Sequence, residues 1–164
     1  NVGGQYVDFK PAAYLLVPPS IFPSGDGVYS FITQIRRRAS KFRIIYVAGT
    51  DSSNRATGFL LHYGQFRSAW WNVNDVIFGT YAPNSIVSEV YNGSHRVDYV
   101  NSRLSSVLKY SGHDNLPSVG YIGKGTSDQN QFNGEMYYLV TSNAALTQVD
   151  RKLLEGVGQP TSQP

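Results

Sequence analysis

Two carboxylates roughly 5–10 Å apart are enough to cut a glycosidic bond, so the acids are the first residues to weigh. The three glutamates, Glu89, Glu135 and Glu155, are isolated, and no Asp or Glu lies two residues from another. Alternate positions on a strand share a face, so no single strand presents an acid pair. Glu89, flanked at that spacing by Val87 and Tyr91, reads as a solvent-face carboxylate. His62, His95 and His113 have no i+2 or i+4 partner, which argues against zinc. Oxygen donors that suit calcium occur in three loops, as Asp51 with Asn54, Asp75 with Asn72 and Asn74, and Asp128 with Asn130. None has EF-hand spacing, and Asx residues in loops ordinarily build turns. Asp128 and Asn130 are kept as the candidate calcium pair; no other cofactor is expected. The G-x-S-x-G elbow, the G-x-G-x-x-G fingerprint and the P-loop are missing. No catalytic residue is expected, and the chain reads as a binding protein rather than an enzyme.

Two clusters remain. The basic run Arg36, Arg37, Arg38, Lys41 and Arg43 could grip an acidic polysaccharide. A solvated hairpin tip is the plainer reading, because Lys and Arg also blunt a sheet edge. The net charge is only +3, which does not demand nucleic acid. The second cluster is Trp70-Trp71. In a strand over 66–72, Phe66, Ser68 and Trp70 share one face while Arg67, Ala69 and Trp71 share the other. The Phe66 face suits a core, which places Trp71 outside beside Arg67. An exposed indole offers a flat apolar body and one N–H donor, suited to stacking on the C–H face of a sugar. The candidate carbohydrate-binding set is therefore Trp71 and Arg67, with Asn74, Asp75 and Tyr81 nearby.

These residues need elements to hold them. Strand-like runs occupy 5–9, 13–17, 29–35, 42–48, 59–63, 66–72, 86–91, 95–100, 119–123 and 135–141. Tyr29, Phe31, Thr33 and Ile35 alternate with Ser30, Gln34 and Arg36, and 36–41 reads as a polar turn. Gly64-Gln65 and Asn92-Gly93 are tight hairpin candidates, the second of type I′. Thr147 is positioned to cap a helix over 148–156, with Asp150 as an acidic capping-box partner. Val149, Leu153, Leu154 and Val157 form its apolar stripe. About ten short strands and one late helix argue for an all-β sandwich.

Aromatic residues make up 13% of the chain and there are sixteen glycines and no cysteine. The aromatics suit pleated, half-buried surfaces. The missing cysteines exclude disulfides and thiolate sites, and lean towards a bacterial or phage source. No apolar run approaches the roughly 20 residues of a membrane span, so no membrane insertion is expected. Without an initiator Met, the chain reads as a processed product or a piece of something larger. One domain over 1–158 and a linker-like tail over 159–164 are expected.

The stretch 118–157 resembles the end of concanavalin A-like (laminin G-like) lectin/glucanase domains. It carries Ile122-Gly123, then a polar loop, Phe132-Asn133-Gly134-Glu135-Met136, Asn143-Ala144-Ala145-Leu146-Thr147, and a short helix with Asp150-Arg151. The paired strands of 85–104 are similar to the family's, with Tyr99-Val100-Asn101 matching its turn element; Ser102 stands where glycine is usual. The resemblance implies a jelly-roll sandwich of two antiparallel sheets. Catalytic members often carry Glu-x-Asp-x-x-Glu on one strand, which this chain lacks. The family also hosts lectins and plain structural modules, so fold alone does not choose. The expectation is a non-catalytic, lectin-like carbohydrate-binding module of an extracellular or virion protein, with a glycan or polysaccharide as partner. The alternatives are a structural or interaction domain touching other subunits of a phage or surface assembly and, as a minor reading, a glycan-cleaving enzyme.

Overall fold

The computed structural model describes residues 5–38, 42–49, 55–71, 75–110, 112–116, 120–125 and 130–157. Among them run twelve strands: β1 (Val7–Phe9), β2 (Leu15–Val17), β3 (Tyr29–Arg37), β4 (Arg43–Gly49), β5 (Ala56–His62), β6 (Gln65–Ala69), β7 (Val76–Thr80), β8 (Ser85–Tyr91), β9 (His95–Val100), β10 (Arg103–Lys109), β11 (Gly120–Ile122) and β12 (Gly134–Ser142). One helix, α1 (Gln148–Val157), follows them. The strands form two six-stranded sheets, ordered β1-β12-β3-β8-β9-β10 and β2-β11-β4-β5-β6-β7. Every paired neighbour is antiparallel.

Strand alternation fills the space between the sheets. Phe31, Ile35, Val87 and Met136 project from the first sheet to meet Tyr46, Phe59, Leu61, Phe66 and Phe78 of the second. The Phe31 ring centroid lies 4.2 Å from that of Tyr46 and 5.2 Å from that of Phe59, so the phenylalanines that mark the sequence are largely core. The two glycines of the family-like tail have packing roles. Gly123 takes φ +90°, and a Cβ there would collide with the Phe9 ring. Gly134 lies so close to the Arg36 carbonyl on β3 that any side chain would push the strands apart.

Two strands escaped the sequence reading, and both are edges. β10 exposes Leu104 and Val107, and a bulge between Leu104 and Ser106 breaks its period-two alternation. β7 is five residues long with Gly79 inside it. The hairpins are shifted by one residue from the expected turns. His62 faces Gln65, so the central pair is Tyr63-Gly64, both at positive φ as a type I′ turn requires. In the β8–β9 hairpin Tyr91 faces Arg96, and Gly93 at φ +89° is the first central residue. That is the type II′ pattern, with the Asn92 side chain accepting the N–H groups of Ser94 and His95. β3 runs on to Arg37, replacing the start of the expected polar turn.

Helix α1 has the expected cap: Thr147 Oγ1 accepts the Asp150 N–H at 3.2 Å and donates to the Asp150 carboxylate at 2.7 Å. Its packing face departs from the expected one, of which Leu154 stays half-buried. Val149 and Leu153 are 67% and 65% exposed, while Arg151 and Glu155 are buried against the outer face of the first sheet. The reason lies in that face, where Ser30, Gln34 and Ser88 are polar. Glu155 pairs with Arg151 and accepts from Ser88 and Ser102, and the Arg151 guanidinium sits 3.6 Å from the Tyr99 ring centroid. A charge is tolerated inside when it is paired and hydrogen-bonded, and here hydroxyls meet the paired ions. Ser30 Oγ also accepts the Leu146 N–H and donates to the Ala144 carbonyl, fixing the approach to the helix.

Candidate functional site

β6 stops at Ala69, so Trp70 and Trp71 lie in a bend rather than on the strand expected through 72. Asp75 pins this bend. One carboxylate oxygen accepts the Trp70 N–H at 2.8 Å, and the other accepts the Arg67 guanidinium. Trp70 turns inward and is 0% exposed; Trp71 is half-buried. The expected order of exposure therefore holds, although strand parity is not its cause. Trp71 takes φ +56°, the left-handed region that a bulky residue seldom adopts. That conformation lays its ring over Gly58 on the outer face of the second sheet. There Ile44, Val47, Ala56, Leu60 and Ala69 form a small apolar cluster with Phe42, Trp71 and Tyr121 packed against it.

The other expected site residues divide. Arg67 and Asp75 stand together at the bend, as an ion pair whose acid also accepts the Trp70 N–H. Tyr81 does not join them. It lies past the far end of β7, about 20 Å along the strand from Asp75 at ~3.3 Å per residue. There its hydroxyl accepts the Arg37 N–H and its ring carries the Arg37 guanidinium at 4.3 Å. Asn74, Asp128, Asp51, Asn54 and Asn72 fall outside the described residues. Asn130 has φ +60°, its carbonyl accepts the Ile44 N–H at 2.8 Å, and it lines a recess of about 160 Å³ with Pro11, Arg43, Gln131 and Asn133. Among the described residues, no three His, Asp or Glu side chains converge. The basic run is largely absorbed: Arg38 pairs with Asp8 and Glu135, and Arg36 approaches Glu135 at 3.8 Å.

Two clusters were invisible in the spacing of residues. The first is aromatic, at the β5–β6 turn. Tyr63 is 74% exposed, its ring 4.9 Å from that of His62, which in turn meets Phe42 at 5.8 Å. The second is ionic and lies between the sheets. Glu89 is no solvent-face carboxylate: it is fully buried and stands directly opposite Asp98 in the β8–β9 register, with Arg96 on the same inner face. The Tyr29 hydroxyl donates to Glu89, and Trp70 Nε1 donates to Tyr29 at 3.1 Å. His113 stacks on the Trp70 ring at 4.1 Å, and the Arg96 guanidinium lies 4.7 Å from that ring. Burial and the neighbouring Glu89 carboxylate push the Asp98 pKa well above the ordinary range. Burial, reinforced by Arg96, depresses His113 to about 4. Only the register of the hairpin brings the two acids together, and the residue shift in its turn decides that register. The pair is enclosed, whereas glycosidase acids must flank a bound sugar.

No protein-family model and no curated protein matches the sequence. Solved structures match the fold, and the class they define is the concanavalin A-like fold of two antiparallel sheets with a C-terminal helix. The CBM40 domain of the Ruminococcus gnavus IT-sialidase, solved with α2,3-sialyllactose bound, superposes with a TM-score of 0.75 at 8% identity, over 92% of this chain and 96% of that one. Domain 4 of the extracellular arabinanase AbnA from Geobacillus stearothermophilus, in complex with arabinotriose, gives 0.71 at 11% identity, over 94% and 78%. Mouse laminin α1 domains LG4-5 give 0.63 at 13%, over 91% of this chain and 46% of that one. None of the three is a virion protein.

Proposed function

We propose that this chain is a non-catalytic carbohydrate-binding module acting outside the cell, with Trp71 as the stacking residue and Arg67 beside it for sugar hydroxyls or carboxylates. The observation that carries the reading is Trp71 itself: an indole held half-exposed, in a left-handed backbone, on a bend that Asp75 pins to Arg67 and to Trp70. A preorganised aromatic loses little freedom on binding. The sugar-bound solved neighbours support the reading at the level of the fold. Asp75 serves as the clamp rather than as a sugar ligand, and Tyr81 takes no part.

The test is a glycan array followed by calorimetric titration of the best ligand. Trp71→Ala should abolish measurable binding while the circular dichroism spectrum stays unchanged. Binding that survives in that variant refutes the site, and an array with no signal refutes the function. Titrations with added calcium and with chelator test the Asp128–Asn130 pair. A second reading, an interaction domain, draws on a different observation. Val149 and Leu153 stand exposed one turn apart on α1, and apolar residues so presented suit a protein partner.

A further inference from the structure

We propose that Asp98, set against Glu89 in the closed interior, is held protonated, that this proton locks the end of the sandwich on which the Trp71 bend stands, and that its loss at raised pH releases Trp70 from its seat. The inference holds whether or not a sugar binds.

The geometry supplies the lock. Glu89 on β8 and Asp98 on β9 face each other across adjacent strands, both closed off from solvent. Two like charges at that separation in a medium of low polarity are costly. Among the described residues, few charged or titratable groups surround them. Arg96 on β9 is the cation. Tyr29 on β3 and Tyr46 on β4 are fully buried and neutral, with pKa values raised well above the ordinary phenol. His113 is buried and neutral above about pH 4. With the proton on Asp98, that acid adds no charge beside Arg96. Without that proton the closed interior holds a net negative charge.

Trp70 is tied to this balance at two points. Its Nε1–H donates to Tyr29, which donates to the Glu89 carboxylate. Its ring also lies beneath the Arg96 guanidinium. Ionising Asp98 sets Glu89 against a second carboxylate and draws Arg96 towards both acids, away from the indole. Each shift loosens Trp70, whose backbone N–H is held by Asp75. The proton therefore governs how firmly the bend is anchored.

The experiment uses the full chain carrying Trp71→Phe, so that Trp70 is the sole tryptophan. Emission wavelength and acrylamide quenching are followed from pH 5 to 9, above the His113 titration, with far-ultraviolet circular dichroism recorded in parallel. The expected result is a reversible red shift and a rise in quenching that follow a one-proton curve, without loss of β signal. Adding Asp98→Asn should remove the transition and keep the low-pH spectrum throughout. Should that variant fail to fold, Glu89→Gln carries the same test. No transition in the parent, or a transition that persists in the folded amide variant, overturns the proposal.

Discussion

Replacing Trp70 and Trp71 one at a time by alanine should separate an anchor from a binding surface. Trp70 is closed off on all sides by Tyr29, Tyr91, Arg96, Tyr110 and His113. Truncating a buried aromatic costs about 3–5 kcal/mol. Tyr29 also loses its indole donor inside the protein, and an unsatisfied buried polar group adds about 1–3 kcal/mol. A total of about 4–8 kcal/mol is therefore expected for Trp70→Ala, a large share of the roughly 5–15 kcal/mol that holds a domain together. In a chain of this size that corresponds to a fall in Tm of about 10–30 °C. Trp71 is half-buried over Gly58, so its truncation should cost about 1 kcal/mol by the apolar area it covers. Urea denaturation followed by circular dichroism gives both numbers. Equal costs, or a Trp70→Ala cost under about 1.5 kcal/mol, would refute the claim that Trp70 anchors the bend.

Other outcomes follow from the same geometry. Arg151→Met or Glu155→Leu alone should destabilise by about 3–5 kcal/mol, because each strands a buried charge, whereas the double variant should recover most of that loss; a double-mutant cycle in urea checks this. His113 binds its proton more weakly folded, at about 4, than unfolded, so stability is present above pH ~6.5 and falls as pH drops towards 4, by up to about 3 kcal/mol. Measured stability against pH should lose that slope in His113→Asn. Asp98 has the opposite sign: its raised pKa contributes stability at low pH that is lost as pH rises through the folded value. Asp98→Asn should accordingly flatten the alkaline side of the same curve. Tyr81→Phe should leave any sugar affinity within twofold of the parent by titration calorimetry.

The sandwich was legible because its signals are local. Alternation over 29–35, turn residues near 64 and 93, and the Thr147 cap each depend on neighbours in the chain. The orientation of α1 was not legible, because the stripe of Val149 and Leu153 points inward only if the surface beneath is apolar. Ser30 and Ser88, far away in sequence, make it polar. The misreading of Glu89 has the same origin. Its parity on β8 was clear, but whether that face meets water depended on the second sheet. Trp71 was placed on the outside for an insufficient reason, since β6 ends before it and a left-handed residue, which no periodicity encodes, sets its direction. Tyr81 looked close to Trp71 in sequence and is distant in space because β7 runs between them.

The strand order also dictates when the molecule can form. β12 lies between β1 and β3 in one sheet, and β11 lies between β2 and β4 in the other. The first two strands have no hydrogen-bonded neighbour in sequence, and each waits for a strand more than a hundred residues later. During synthesis at about 5–20 residues per second, β1 and β2 emerge early and stay unpaired for many seconds, with Tyr6, Val7, Leu15 and Leu16 uncovered. Such long-range pairing folds slowly, and the waiting edges are open to other chains. The hairpins from β3 to β10 can assemble first, leaving the N-terminal segment as the portion a chaperone would need to shield.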